Sequence, residues 1–273
     1  MESVDLENKR VLIAHAVGKE SDSIAWQSHS LKYDYLVLAL SGETNFFGMT
    51  KVAKHAFTMK SIDYAILLRN HIINMLEQAD IESEDEELQK SLITFVVVGG
   101  GFSGVETVGE LNHFVRESIK HYYHNLQEND VTMILVNSGG RILSEVTEDL
   151  SEFAIQELRK HGVEVMLNTR LVGAERDMEN LSNGAKVLCN TLIWAGGVSP
   201  DALTRNLACD HDKAGRIITN SQLEIMGCKD AFAIGDCASI EDPRTGNPYL
   251  PTAQHALRQA RVAAQYDFTH KWK

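Results

Sequence analysis

With 273 residues, 44% hydrophobic and 23% charged, the chain holds enough apolar side chain for one large or two medium domains and lies outside the disordered class. A formal net charge of -12 excludes a nucleic-acid surface, which needs Lys and Arg gathered against phosphate. The start Met1-Glu2-Ser3-Val4-Asp5 lacks the basic lead and apolar core of a secretory signal, and no apolar run approaches the roughly 20 residues of a membrane span.

In chain order, short apolar runs predict strands at residues 10–14 and 35–40. The acidic stretch at 77–87 predicts a solvated loop or helix face close to a domain crossover. A strand is predicted at 94–98, a long helical stretch at 105–127, and further strands at 132–136, 164–167, 191–194 and 231–234. Between them, Leu150, Phe153, Ala154 and Leu158 set an apolar stripe on one helix face, and Gly162 supplies the left-handed residue that ends that helix. Such alternation is the signature of α/β architecture with a largely parallel sheet. Cys189, Cys209, Cys228 and Cys237 form no CxxC pair, so neither a zinc site nor a redox dithiol is predicted from them. They read as small, largely buried hydrophobes in a reducing, cytoplasmic setting.

The sharpest motif is Phe95-Val96-Val97-Val98-Gly99-Gly100-Gly101-Phe102-Ser103-Gly104-Val105-Glu106, where Gly99, Gly101 and Gly104 satisfy G-x-G-x-x-G directly after an apolar strand. Gly99 permits the tight turn, Gly101 lets backbone approach a pyrophosphate, and Gly104 lets the next helix pack on the strand. The helix mouth then faces phosphate with free N–H groups and partial positive charge. Gly99, Gly100, Gly101, Phe102, Ser103 and Gly104 are therefore assigned to a dinucleotide. The second strand of such a unit usually ends in an acidic residue that binds the adenosine ribose. Here it ends in Asn137, which can bond a hydroxyl but does not repel a 2′-phosphate; Arg141 is a candidate partner for that phosphate, and a plain strand-capping role for Asn137 stays open.

A second nucleotide element is the strand Asp230-Ala231-Phe232-Ala233-Ile234 running into Gly235-Asp236. The order of glycine turn, Trp194-Ala195-Gly196-Gly197-Val198-Ser199-Pro200 and Gly235-Asp236 resembles the FAD/NAD(P)-binding pyridine nucleotide-disulfide oxidoreductase superfamily. Within it, the chain resembles the type II NADH:quinone oxidoreductases, or alternative NADH dehydrogenases. The resemblance rests on Tyr33-Asp34-Tyr35-Leu36-Val37-Leu38-Ala39-Leu40-Ser41-Gly42 with Thr44-Asn45-Phe46-Phe47-Gly48. It rests also on His55-Ala56-Phe57 with Lys60-Ser61 and Leu68-Arg69-Asn70-His71, and on Leu250-Pro251-Thr252-Ala253-Gln254-His255-Ala256. Two departures stand out. Arg258, followed by Gln259, occupies the place of the last glutamine of the family's quinone motif, and no glycine fingerprint precedes Gly99.

The resemblance implies two Rossmann-like FAD/NAD(P)-binding domains, the FAD domain split and here incomplete. Residues 1–60 would be its first part, 61–197 the NAD(P)H-binding domain with a linker helix, and 198–273 its second part. A fragment is expected, lacking the N-terminal FAD fingerprint and the C-terminal membrane-anchoring region. Asp236, with Gly235, would hold the ribityl chain of FAD, and Ala195, Gly196 and Gly197 would pass beside NAD(P)H. Ala253 and Gln254 would stand where flavin and quinone meet. The implied reaction is hydride transfer from NAD(P)H to FAD and electron transport onward to quinone, with Glu106 and Gln254 as the catalytic candidates. Glu106 handles a proton or positions nicotinamide, or is merely a carboxylate favoured by the helix dipole. Gln254 bonds a quinone carbonyl or caps a helix. His255 reads as packing or surface, and Glu110 as structural. Peripheral attachment at the cytoplasmic face of a membrane is expected for the full-length parent, and a homodimer is compatible with the reading. A flavoprotein reductase with a non-quinone acceptor and a catalytically silent NAD(P)-binding fragment remain as alternatives.

Overall fold

A computed structural model describes residues 1–17, 25–82, 84–175 and 177–271. Their contacts gather the chain into two units, Met1–Glu43 with Val198–Lys273 and Thr44–Gly197. The first unit begins with an antiparallel sheet of β1 (Ser3–Asp5), β2 (Arg10–Val17) and β3 (Ala25–Lys32), hydrogen-bonded in that order. Only the central residues of the predicted strand at 35–40 are extended in a ladder, as β4 (Leu36–Leu38), and β5 (Gly42–Thr44) follows.

The second unit opens with α1 (Thr50–His55), α2 (Ile62–Ile81) and α3 (Glu86–Leu92). Ser61 and Asp85 cap α2 and α3 by accepting the backbone N–H of Tyr64 and Leu88. Then come β6 (Thr94–Val98), α4 (Phe102–Tyr122), β7 (Thr132–Val136), α5 (Glu148–Lys160) and β8 (Val163–Met166). A meander of β9 (Leu171–Ala174), β10 (Met178–Leu181) and β11 (Lys186–Leu188), to which the sequence reading assigned no strand, precedes β12 (Thr191–Trp194).

Strands β12, β6, β7 and β8 lie side by side in that order, all parallel. β6 is central because Thr-Phe-Val-Val-Val suits a strand covered on both faces, and all five residues are buried. Alternate residues part to opposite sides. Phe95, Val97, Met133, Leu135 and Ile193 pack with Leu76, Val115 and Ile155 of the helices, whereas Val96, Val98, Ile134, Val136 and Trp194 pack with Val52 of α1 and with Leu171 and Leu181 of the meander. Phe57 extends the sheet edge, donating to Leu192 O and accepting from Trp194 N–H, each at 2.8 Å. Residues 44–57, read from sequence as part of the first segment, are thereby tied into this unit.

Helix α5 corrects one expectation. Its buried face is Ser151, Ile155 and Leu158, while Leu150 and Phe153 of the predicted stripe are exposed. Ser151 tolerates the interior because its hydroxyl donates to Ile142 O at 2.6 Å. Gly162, at φ 80, follows the helix as the sequence predicts.

The first unit resumes with β13 (Val198–Pro200), α6 (Ala202–Arg205), β14 (Ile217–Ile218), β15 (Ala231–Ala233), β16 (Ala238–Ser239) and α7 (Ala253–Lys271). β15 runs parallel to β4, and its core includes Leu38, Ile217, Ile225, Phe232 and Cys237. Cys189 and Cys237 are buried, and Cys209 and Cys228 are half-buried, all as free thiols. Burial raises every one of their pKa values, that of Cys209 to about 11. Among the described residues no helix is long and apolar enough to cross a membrane.

Candidate functional site

β6 delivers the glycine-rich turn to α4. Gly99 adopts φ +118, and a Cβ there would lie 2.4 Å from Ala195 O and 2.8 Å from Gly196 N. A side chain at this point would drive the exit of β12 away from β6. In the first turn of α4, a Cβ on Gly104 would lie 1.8 Å from Gly99 O, so the helix rests on the turn only as glycine. Gly101 is different. Its φ of -76 and ψ of -178 suit any residue, and an added Cβ would meet nothing within 4 Å. Protein packing therefore places no demand on glycine there. The space it leaves open adjoins the N-terminus of a 21-residue helix that receives no side-chain cap. Exposed N–H groups, helix dipole and bare backbone together form an arrangement suited to a diphosphate.

Gly100 is the freely variable position of the motif, yet the fold fixes it. A Cβ would lie 2.6 Å from Asn137 Cγ and 2.9 Å from Ile142 Cγ2. Asn137, directly after β7, accepts the Gly100 N–H on Oδ1 at 3.1 Å. Its Nδ2 donates to Gly139 O at 3.2 Å and to Arg141 O at 2.8 Å. The main chain of Asn137 is also engaged, donating to Met166 O at 2.9 Å and accepting from Thr169 N–H at 3.0 Å. Arg141 directs Nη2 at Ser144 O and Val146 O, at 2.8 and 2.7 Å. Ser138, Gly139 and Gly140 are exposed, and no acidic residue occurs between Asn137 and Ser144.

The Ala195-Gly196-Gly197 loop begins beside the turn, with Ala195 N–H donating to Val98 O at 2.8 Å. It lies on an aromatic platform. A Cβ on Gly196 would come 2.9 Å from the Trp194 indole, and one on Gly197 would come 2.7 Å from the Phe47 ring. Trp194 Nε1 donates to Asn45 O at 2.9 Å, with the Phe46 and Phe47 rings 5.6 and 6.4 Å away. Below, His71 Nε2 lies 3.1 Å from Asn190 O and 3.0 Å from Thr191 Oγ1; burial holds its pKa below the ordinary histidine value and keeps it neutral. Phe102, Ser103, Glu106 and Glu110 of α4 are all exposed. The C-terminal ends of β6, β7 and β12 thus bring together Gly99 to Gly104, Asn137, Arg141 and Ala195 to Gly197.

In the first unit, β15 leads into Gly235 at φ 69 and then Asp236, which is half-buried. The Gly235 N–H donates to Gln259 Oε1 at 2.8 Å, and a Cβ on Gly235 would lie 3.5 Å from Ala256 Cβ. This places the start of α7, with Ala253 and Gln254 exposed, against the Gly-Asp turn. Thr252 rather than Gln254 takes the capping position, its hydroxyl accepting the His255 N–H at 3.4 Å. The His255 ring packs on Tyr249 at 4.6 Å, in keeping with its reading as a packing residue. Sequence reasoning noticed Gln259 only as a displaced motif residue; its spacing of one helical turn from His255 was the available signal for a place on the same face.

Fold and site define a Rossmann-like FAD/NAD(P)-binding oxidoreductase fold, with one glycine-rich cradle and one Gly-Asp turn. A profile of the pyridine nucleotide-disulphide oxidoreductase family matches residues 1–260, and the chain belongs to that family. It is 30% identical over 263 residues to a probable NADH dehydrogenase of Dictyostelium discoideum, covering 96% of this chain and 56% of that protein. It is 31% identical over 247 residues to the type II NADH:quinone oxidoreductase Ndh of Mycobacterium tuberculosis, covering 87% of this chain and 51% of the relative. Among solved structures, NDH2 from Plasmodium falciparum in complex with NADH superposes with a TM-score of 0.84 at 19% identity, over 100% of this chain and 68% of that one. The chain spans about half the length of the curated relatives it matches.

Proposed function

We propose that this chain carries the dinucleotide-handling machinery of a flavin-dependent NAD(P)H dehydrogenase that passes electrons to a quinone. Bound FAD would accept a hydride from NAD(P)H and pass two electrons to the quinone, which also takes up two protons. Gly99, Gly100, Gly101, Phe102, Ser103 and Gly104 hold the nicotinamide diphosphate, with Asn137 and Arg141 at the adenosine ribose and Ala195, Gly196 and Gly197 beside the nicotinamide. Asp236, whose carboxylate receives no hydrogen bond among the described residues, offers an acceptor to flavin hydroxyls, with Gly235 giving the turn. Glu106 positions the nicotinamide or moves a proton at its carboxylate. Ala253 and Gln254 begin α7, where the Gln254 amide bonds the acceptor. The names of the relatives, which are NAD(P)H and quinone oxidoreductases, support this reading. Peripheral attachment at the cytoplasmic face of a membrane and a homodimeric assembly belong to the same proposal.

The observation that carries it is the open space at Gly101 beside an uncapped helix N-terminus. Because that space is not used by packing, Gly101→Val is expected to fold, at a cost of about 1 kcal/mol for a branched side chain at the helix N-cap. The same side chain fills the approach to the backbone, so NADH affinity measured by cofactor fluorescence is expected to fall at least about tenfold, or roughly 1.4 kcal/mol. Folded parent that binds neither NADH nor NADPH, or a valine variant that binds as well as the parent, overturns the proposal. Retention of added FAD by the parent, read from its visible absorption, separates a flavoenzyme from a chain that binds only the nicotinamide cofactor.

A further inference from the structure

We propose that Phe47 is a binding residue for the nicotinamide half of the cofactor, its ring forming an aromatic wall beside the Ala195-Gly196-Gly197 loop. This role rests on the function proposed above, which places that loop beside the nicotinamide.

The Phe47 side chain is 65% exposed, which for a single apolar residue is ordinary by itself. The backbone beneath it is not ordinary. Phe47 stands at φ 49 and Gly48 at φ 78, and the Met49 N–H donates to Phe46 O at 3.0 Å, closing a turn with two left-handed residues at its centre. Glycine and asparagine fill such positions readily, whereas a bulky side chain there is strained. Asn45 imposes the conformation. Its Oδ1 accepts the Phe47 N–H at 2.8 Å, its own N–H donates to Gly197 O at 3.0 Å, and its carbonyl accepts the Trp194 indole N–H at 2.9 Å.

These three bonds carry the Phe47 ring onto Gly197. A Cβ on Gly197 would lie 2.7 Å from both Cε2 and Cζ of that ring and 3.2 Å from Asn45 O, although the φ of Gly197 is not left-handed and makes no demand for glycine. The chain thus accepts a strained backbone under the ring and keeps a bare residue against it. Neither serves the core. Phe46, one residue earlier, already packs with the buried cluster around Trp194, its ring 5.6 Å from the indole. Phe47 meets the same indole edge-on, at 6.4 Å and 64°, and leaves most of its surface to solvent. Strain kept where packing gains so little is the mark of a ligand contact.

The class of ligand follows from the ring and its place. A phenyl group carries no charge and no hydrogen-bonding atom, so it recognises flat, unsaturated groups through stacking or edge contact. The nicotinamide ring is such a group, and the loop that the Phe47 ring touches is the one assigned to it. The diphosphate and the adenosine ribose are assigned to Gly99–Gly104 and Asn137, so Phe47 matters to one half of the dinucleotide only.

Parent, Phe47→Asn and Phe47→Tyr, each in the 273-residue chain, are titrated by calorimetry with NADH and with ADP-ribose, which has the adenosine and diphosphate but no nicotinamide. Asparagine suits the left-handed turn and removes the ring, so Phe47→Asn is expected to unfold at no lower urea concentration than the parent. In the same variant NADH is expected to weaken at least about fivefold while ADP-ribose changes by less than about twofold. Tyrosine keeps the ring, and its affinity for NADH is expected to stay within about twofold of the parent. Equal weakening of both ligands in Phe47→Asn, or weakening of neither, overturns the proposal, as does a tyrosine variant that binds NADH as poorly as the asparagine one. A Phe47→Asn chain that unfolds more easily or does not fold shows that the ring serves packing, and overturns it too. A parent that binds neither ligand sinks the proposed function together with this role, whereas a parent that binds both beside a variant that does the same sinks this role alone.

Discussion

Glu179 shows what one side chain does when the strand around it turns it inward. It lies on the buried face of β10, 2% exposed, with one carboxylate oxygen lacking any hydrogen-bond partner. Desolvation pushes its pKa from the ordinary 4.5 up to about 8. The folded chain therefore keeps Glu179 protonated while the unfolded chain lets it ionise. Its contribution to stability is complete below pH 4.5 and is lost progressively as pH climbs to about 8. Glu179→Gln removes the titration. In urea unfolding, the variant is expected to gain on the parent by about 1 kcal/mol or more between pH 5 and pH 8; a difference that stays constant with pH would refute this. The sequence hid this residue because Met178-Glu179-Asn180-Leu181 offers no apolar-polar alternation from which an inward carboxylate could be read. The glycines of the turn were legible for the opposite reason: each stands where a side chain is sterically forbidden or a ligand needs room, and spacing alone marks such positions. Gly100 was read with its neighbours as part of the turn, but the contact that fixes it escaped notice because it comes from Asn137, a residue remote in the chain.

At the scale of elements, the contact of α4 with the turn separates structural from functional glycine. Gly104→Ala would force a methyl group to 1.8 Å from Gly99 O, so helix or turn must move. A loss of about 1–3 kcal/mol in chemical unfolding is expected, against under about 1 kcal/mol for alanine at Gly101, the cost of losing glycine at a helix N-cap. Equal losses at the two positions would show that the turn is not built as described. Elements with a strong period or a sharp stop were readable: β6 and β7 from their unbroken apolar runs, and the end of α5 from Gly162. The phase of α5 was not. Its interior arc is Ser151, Ile155 and Leu158, and a serine that hides its hydroxyl in a bond to Ile142 O is invisible to a count of apolar residues. The meander was missed because its short strands carry mixed polarity, as in Lys186–Leu188.

Across the whole molecule, every partner named for the diphosphate cradle lies within Thr44–Gly197. That stretch, produced alone, is expected to fold and to bind NADH within about threefold of the full chain, a difference under roughly 1 kcal/mol. An unfolded product, read by circular dichroism, or a folded one that no longer binds NADH, would show that the cradle depends on residues outside it. The order of the two nucleotide motifs gave the layout from sequence, because the motifs are local. Where the second unit begins was less visible, since Phe57 joins the sheet through main-chain bonds to Leu192 and Trp194 that no side-chain pattern announces.

The Asn45 N–H donates to Gly197 O at 3.0 Å, so the second unit starts and finishes at almost one point in space. A module anchored in this way occupies no more of a host chain than a surface turn does, and it can be inserted or excised without rerouting the polypeptide on either side. If Thr44–Gly197 folds alone, as expected above, the glycine-rich turn could be moved as a cassette, its closely spaced ends fitting a graft into an exposed loop of an unrelated scaffold.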